Sequence, residues 1–366
     1  MPAELFGKSR EELKQLCAEM GEPAFRGAQI YHALYAERRF DIARMTNLPA
    51  ALRQRLAAEA RVSLARIVRK FTSADGSVRY LLAMPEDGQE PSQRPGAAAQ
   101  VEAVYMPSEH RQTICISTQA GCAVDCHFCL TAQLGLIRNL TAGEILGQVL
   151  VPLEEHASQP GEAARQTNVV LMGQGEPLLN FDAVMQALRI LLDPEGVGLS
   201  PRHVTLSTSG IVPGIERFAQ EKVRPKLAIS LNASNDEQRG ALMPINKKYS
   251  LRVLLAACKK FPLRPWEHLT FEYVLLGGVN DAPEDARRVA KLLAQLKRVK
   301  VNLIPWNPGE LPYQETKAEN VENFRKILTE KGIQAFVRYS RGRDIMAACG
   351  QLALLEVGGS PLPVFP

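Results

Sequence analysis

The chain has 366 residues, 46 % of them hydrophobic and 23 % charged, with a net charge of +5, the composition of an ordinary globular protein. No apolar run approaches the roughly 18 residues that a membrane helix needs, and the opening Met1-Pro-Ala-Glu-Leu-Phe-Gly lacks a basic-then-apolar leader, so a cytoplasmic protein with no membrane contact is expected. Seven cysteines, an odd number with three clustered, fit a reducing compartment and argue against a disulfide scaffold. Charge is unevenly spread: residues 1–80 hold 14 Lys/Arg against 9 Asp/Glu, and the remainder is close to neutral. A basic module beside a neutral one points to a polyanion such as RNA, with a merely solvated charged face as the competing reading.

Residues 8–60 read as short helices. Arg10 to Met20 carries Leu13, Leu16, Cys17 and Met20 at helical spacing before Gly21, Phe25 to Ala36 repeats the pattern with Ile30, Leu34 and Tyr35, and Leu48-Pro49 opens a third helix through Leu56. Cys17 reads as core. Ala65–Thr72 and Ser77–Met84 flank Ala74-Asp75-Gly76 and form a predicted hairpin. Residues 85–100 hold Pro, Gly, Ser, Gln and Ala with little that could pack, and read as a linker or loop. The strand Val101–Met106 follows and ends at Pro107.

From Gln112 strands and helices alternate. Strands are predicted at 113–118, 168–173, 203–208, 226–232, 269–276 and 299–304, with helices near 142–152, 181–192, 211–220, 250–260 and 284–297. Asn280-Asp281-Ala282-Pro283 supplies a capping residue and an early Pro for the last of these. Six βα units predict an incomplete parallel barrel with its site at the C-terminal ends of the strands. A helix at 317–331 and a strand at 334–339 follow.

The stretch Gly121-Cys122-Ala123-Val124-Asp125-Cys126-His127-Phe128-Cys129-Leu130 leaves the first barrel strand. Three thiolates that close repel one another unless a metal neutralises them, and soft sulfur ligands favour zinc or an iron–sulfur cluster. A closed site would want a fourth ligand, and only His127 is near, as a loop residue; three thiolates on a cluster leave one iron open to a small molecule. Small polar groups recur at later strand ends: Gly175 and Glu176 in the turn after 168–173, Ser207 and Ser209, Ser230-Leu231-Asn232, and Asn307 after Trp306. They suit a polar, sugar-bearing cofactor. Cys349, between Ala-Ala and Gly, reads equally as buried filler or accessible thiol. By alternation Cys115 reads as core and Glu102 as a solvent-facing strand residue, and Cys258 reads as structural.

The C-x3-C-x2-C spacing, with Phe128 before the last Cys, resembles the signature of radical S-adenosylmethionine (SAM) enzymes. From the N-terminal helices to residue 354 the chain resembles their dual-specificity adenine-C2 RNA methyltransferase family, most specifically over Gly121–Gln133 and Asp344–Leu352, with Leu206–Gly210 and Asn302–Pro308 in support. The resemblance implies an α/β fold, a partial (β/α)6 TIM-like barrel over 101–354. It also implies a small helical RNA-binding module within 1–84, a linker at 85–100 and a tail at 355–366.

In that family one [4Fe-4S] cluster is held by residues matching Cys122, Cys126 and Cys129. Two SAM molecules are used per turnover, and Gly175, Glu176, Ser207, Ser230, Leu231, Asn232 and Asn307 match the SAM contacts. Cys349 matches the methyl-carrying cysteine, Cys115 the thiol that later forms a disulfide with it, and Glu102 the base that removes the C2 proton. The implied partners are 23S rRNA, tRNA and a flavodoxin-type electron donor, and a monomer is expected. Gln174 and Asn232 depart from the family, which usually has Met and His there. Two alternatives are a C8-adenine rRNA methyltransferase of the antibiotic-resistance type and a non-catalytic, metal-containing RNA-binding protein.

Overall fold

The structure, a computed structural model, describes residues 2–85, 99–157 and 165–354; most of the 85–100 linker and the whole 355–366 tail lie outside the described residues. Three helices open the chain: α1 (Arg10–Glu19), α2 (Phe25–Tyr35) and α3 (Ala50–Glu59). Ser9 caps α1 in a reciprocal pair with Glu12, whose carboxylate accepts the Ser9 N–H at 2.7 Å while the Ser9 hydroxyl accepts the Glu12 N–H at 3.2 Å. Leu13 and Cys17 of α1 and Ile30, Leu34 and Tyr35 of α2 are fully buried, so Cys17 is core as its spacing predicts.

A single sheet of ten strands carries the rest: β1 (Arg66–Thr72), β2 (Val78–Ala83), β3 (Gln100–Pro107), β4 (Arg111–Cys115), β5 (Gln166–Leu171), β6 (Val204–Thr208), β7 (Lys226–Ser230), β8 (Leu269–Leu275), β9 (Val299–Pro305) and β10 (Gln334–Val337). Each strand pairs with its sequence neighbour, from β1 at one edge to β10 at the other. Strands β4 to β10 are parallel and β1 to β4 antiparallel. Between the parallel strands run α4 (Ala142–Glu155), α5 (Phe181–Leu192), α6 (Val212–Phe218), α7 (Asp236–Leu242), α8 (Leu251–Lys260), α9 (Pro283–Leu293) and α10 (Ala318–Glu330). This is the expected α/β partial barrel. Among the described residues β1 and β10 share no ladder, so the barrel is open. A hydrophobic core runs from the N-terminal helices through the barrel.

Three details differ from expectation. The 65–84 hairpin, grouped with the N-terminal module by its position in the sequence, is part of the barrel sheet: β2 pairs with β3 from Val78↔Tyr105 to Ala83↔Gln100. The start of α9 is capped not by Asn280 or Asp281 but at Ala282, whose N–H donates to the Asp285 carboxylate at 3.2 Å. The Asn280 side chain instead accepts the Leu276 N–H and donates to the Asn232 and Val274 carbonyls. Helix α7, seven residues rich in charge, carries too little apolar periodicity to be read from sequence.

The N-terminal unit is fixed to the outside of the barrel. The Tyr31 hydroxyl donates to Asp193 at 2.9 Å, and the Gln186 amide, on α5, donates to the Gly7 carbonyl at 2.7 Å. The Tyr35 hydroxyl accepts the Gly7 N–H at 2.8 Å.

Candidate active site

Strand β4 delivers the chain to the cysteine loop through a fixed root. The Gln148 side chain of α4 accepts the Ser117 N–H at 2.8 Å and donates to its carbonyl at 2.9 Å. A small ladder of Gln119–Gly121 with Leu136–Asn139 then closes the loop's base. Gly121 sits at φ 73°, where an added Cβ would lie 1.8 Å from the Gly135 carbonyl oxygen, so no larger residue fits. That same carbonyl accepts the Cys122 N–H at 3.0 Å.

Cys122, Cys126 and Cys129 all line one cavity at the C-terminal ends of β5 to β9, about 970 Å³ including its mouth, the upper size of a small-molecule site. Burial raises the thiol of Cys122 to about 12, that of Cys126 well above its ordinary value, and that of Cys129 as well. Bare, the three stay protonated; a cation among them is what would ionise them. Among the described residues no three His, Cys, Asp or Glu side chains converge on a single ion. All three thiols line the same cavity, a soft sulfur donor set of the kind an iron–sulfur cluster takes. His127 points elsewhere, half exposed and 3.7 Å from Asp125.

Gly175, Glu176, Ser207, Ser230, Asn232 and Asn307 line the same cavity. Glu176 is buried, and burial raises its pKa against the pull of its hydrogen bonds. It accepts the N–H and hydroxyl of Ser209 at 2.6 and 2.7 Å and the Leu178 N–H at 3.0 Å. Asn232 adopts φ 55°, its side chain accepting the Val274 N–H at 2.9 Å. Leu231 is different: alternation along the strand turns its side chain into the hydrophobic core, and only its backbone faces polar partners, donating to the Glu272 carbonyl and accepting from Arg239.

Cys349 lines this cavity and also an adjoining hollow, where it meets Cys115. Both are free thiols, Cys115 buried and Cys349 uncovered toward the hollows; the disulfide implied for this pair is not formed in this structure. Although open to the hollows, the Cys349 thiol is crowded by the protein around it, and that loss of solvent, followed by the charges of Glu272 and Cys129, pushes it up to about 11. Burial and the nearby Cys349 raise Cys115 further. Cys115 is thus core as its alternation predicts, packed with Phe71, Leu81, Val104, Ile345, Ala347 and Leu352, and at the same time a neighbour of Cys349. Glu102 is not solvent-facing. It is fully buried, 2.7 Å from the equally buried Arg79, and accepts the Leu354 N–H at 3.0 Å. It lines neither hollow.

Two buried charges escaped the sequence reading. Arg239 on α7 donates to the carbonyls of Ser209, Ser230 and Leu231, tying the ends of β6 and β7 together. Glu272 lines the cavity from β8, level in register with Ser230 and Asn302, and accepts from the Asn302 amide at 2.9 Å. A lone carboxylate within the apolar run Leu269–Leu275 was the signal for it.

Two family models match the chain: the radical SAM superfamily over residues 116–293, and the ribosomal RNA large subunit methyltransferase N-terminal domain over residues 3–62. The chain is 48 % identical over 355 residues to a probable dual-specificity RNA methyltransferase RlmN of Koribacter versatilis, covering 92 % of this chain and 98 % of that protein. It is 45 % identical over 361 residues to the dual-specificity RNA methyltransferase RlmN of Anaeromyxobacter dehalogenans, covering 96 % and 92 %. It is also similar to the crystal structure of a radical SAM methyltransferase from Sphaerobacter thermophilus, with a TM-score of 0.86, 40 % identity, and coverage of 96 % and 99 %.

Proposed function

The chain belongs to the dual-specificity RNA methyltransferases of the radical SAM superfamily, and on that premise we propose that it methylates carbon 2 of adenine in 23S rRNA and in a subset of tRNAs through a methyl group carried on Cys349. The observation that carries this reading is that Cys349 faces the same cavity as Cys122, Cys126 and Cys129.

The family brings a [4Fe-4S] cluster and SAM, which together would supply a transferable methyl group and, after one-electron reduction, a 5′-deoxyadenosyl radical. Cys122, Cys126 and Cys129 would hold the cluster. Gly175, Glu176, Ser207, Ser230, Asn232 and Asn307 would line the place of SAM, with Leu231 contributing backbone only. Carbon 2 of adenine is too electron-poor to attack a methyl sulfonium, so a protein sulfur must receive the methyl first. Cys349 is that sulfur. Its S-methyl carbon, once the 5′-deoxyadenosyl radical takes a hydrogen from it, would bond to C2 of the adenine, and the unpaired electron left on the ring would return to the oxidised cluster. Glu102 would take the C2 proton; Cys115, as its thiolate, would attack the Cys349 sulfur, the departing carbon taking up a proton as the methyl of the product and the two cysteines ending as a disulfide that is reduced before the next turnover. Since Glu102 here faces Arg79 and the Leu354 N–H, the end of the Cys349 segment must shift before that carboxylate can meet a base.

Two SAM molecules are consumed per turnover, one for the methyl and one for the radical, with a flavodoxin-type protein as electron donor. The enzyme works as a cytoplasmic monomer. The basic N-terminal unit, matched by the rRNA methyltransferase N-terminal model over 3–62, grips the RNA backbone while the base is extruded into the barrel.

The test is Cys349→Ala in anaerobically reconstituted protein. RNA methylation is expected to vanish while iron content is retained; undiminished methylation would remove Cys349 from the pathway. Mass spectrometry of the product nucleoside is expected to give 2-methyladenosine, and 8-methyladenosine would move the enzyme to the C8 type.

A further inference from the structure

After β10 the chain crosses the barrel mouth from Arg338 to Leu354 with one short helical turn, Arg343–Ile345, as its sole regular element. Two residues of this strap that are not glycine, Met346 and Leu354, hold left-handed backbone at φ 54° and 58°, a conformation that is strained for residues with a Cβ. Such a segment is held in place by tertiary bonds or not at all.

Beside bonds of Ser340 with Asn307, Arg343 with Glu315 and Gln351 with Pro308, its contacts with the cysteine loop and the sheet edge fall at three points. In the middle, Gly350 accepts the Leu130 N–H at 2.8 Å and Leu352 accepts the Thr131 hydroxyl at 2.5 Å, setting Cys349 beside the cysteine loop. At the far end, Leu354 donates to Glu102. At the near end, the strap trades carboxylates with the β1–β2 turn. Asp75 of the turn accepts the Gly342 N–H at 3.1 Å and Arg341 Nε at 3.2 Å, while Asp344 of the strap accepts the Ser73 hydroxyl at 2.6 Å and the Ala74 N–H at 3.0 Å. Arg341 also donates to the Pro107 carbonyl at the end of β3. Ser73 and Asp344 are 271 positions apart in the chain, and neither aspartate lines the cavity or the adjoining hollow. Ile345, Ala347 and Leu352 lie on the Phe71, Leu81 and Val104 face of the same sheet edge.

We propose that the β1–β2 turn is a latch for the Cys349 strap, with Asp75 and Asp344 as positioning residues that hold the methyl-carrying sulfur between the cysteine loop and Cys115. This rests on the reading of Cys349 as the methyl carrier. The latch sits at the near end, so the strap keeps its register when the far end leaves Glu102. An exchange of two charge-assisted contacts in opposite directions resists sliding of the strap along the sheet edge better than either alone.

The test compares wild type, Asp75→Ala, Asp344→Ala and the conservative Asp344→Asn as reconstituted holoenzymes. Three readouts are taken: hydrogen exchange across 341–354, the rate of Cys349 alkylation by iodoacetamide, and methyl transfer to RNA. Each alanine variant removes two bonds to a carboxylate and is expected to speed exchange and alkylation at least tenfold. It should lower kcat by a similar factor at unchanged KM for RNA and unchanged iron content, with Asp344→Asn recovering part of both. Unchanged strap exchange, or an increase spread equally over the barrel helices, overturns the latch. If Cys349→Ala still methylates RNA the carrier reading falls, while the exchange data still decide whether the latch exists.

Discussion

At the scale of single residues the cavity is a place where burial rather than charge pairing sets protonation. Glu272 shows this best. Its ordinary carboxyl value is 4.5, and burial pushes it up to about 7, with Asn302, Arg338 and Lys300 opposing. The folded state therefore prefers the neutral acid. The stabilising contribution is complete below the unfolded value and is lost as pH rises through the folded one, a loss of about 3 kcal/mol. Glu272→Gln is expected to remove that slope, so denaturant unfolding should show wild type losing stability relative to the variant between about pH 5 and 8; parallel curves would contradict it. Glu102 follows the same rule: burial raises its carboxyl even against the pull of the buried Arg79. Arg79→Met leaves a carboxylate without its cation in a dry site and should cost about 3–5 kcal/mol in the same measurement. Residue identity was legible where chemistry demands a spacing, as in Cys122, Cys126 and Cys129. It was not legible where burial decides. Nothing in Val101-Glu102-Ala103 tells whether the carboxylate faces water or Arg79, and Leu231 shares a strand end with two polar cavity residues while its side chain turns away.

Among elements, the amphipathic ones were read nearly to their ends. Helix α5 was expected at 181–192 and runs Phe181–Leu192, because a barrel helix needs one continuous apolar stripe and this chain supplies it. Pairing partners are another matter. A hairpin announces itself by two alternating runs and a turn, yet the sequence holds no local mark of which sheet it will join. That is why position in the sequence groups β1 and β2 with the N-terminal helices, while their ladder joins them to the barrel sheet. The cysteine loop depends on its Gly121 hinge as much as on its sulfurs. Gly121→Ala drives a methyl into the Gly135 carbonyl and should displace the Cys122 N–H that bonds there. The expected outcome is iron content after anaerobic reconstitution well below half that of wild type, with the barrel's far-ultraviolet circular dichroism retained; full iron loading would show that the hinge tolerates a side chain.

Across the whole molecule, the basic N-terminal unit and the barrel form one body, joined by Tyr31 to Asp193 and Gln186 to Gly7. On the proposed reading, RNA held by the first would be presented to the second at a fixed distance. Because such a grip is electrostatic, affinity for an RNA fragment should fall linearly with the logarithm of salt concentration. Replacing Arg10 and Lys14 by Glu should flatten that slope by roughly one to two phosphate equivalents. An unchanged slope would move the grip elsewhere.

The gap between β1 and β10 has its own corollary. A seamless eight-strand cylinder accepts only what can drop in from above with no trailing ends. On the reading proposed above, a cylinder whose missing stave is replaced by a strap, not a strand, would let a long polymer lie across it and dip a single nucleotide inward past the strap, its two arms running out on either side. Folded RNA would then be served in mid-chain, without threading a terminus.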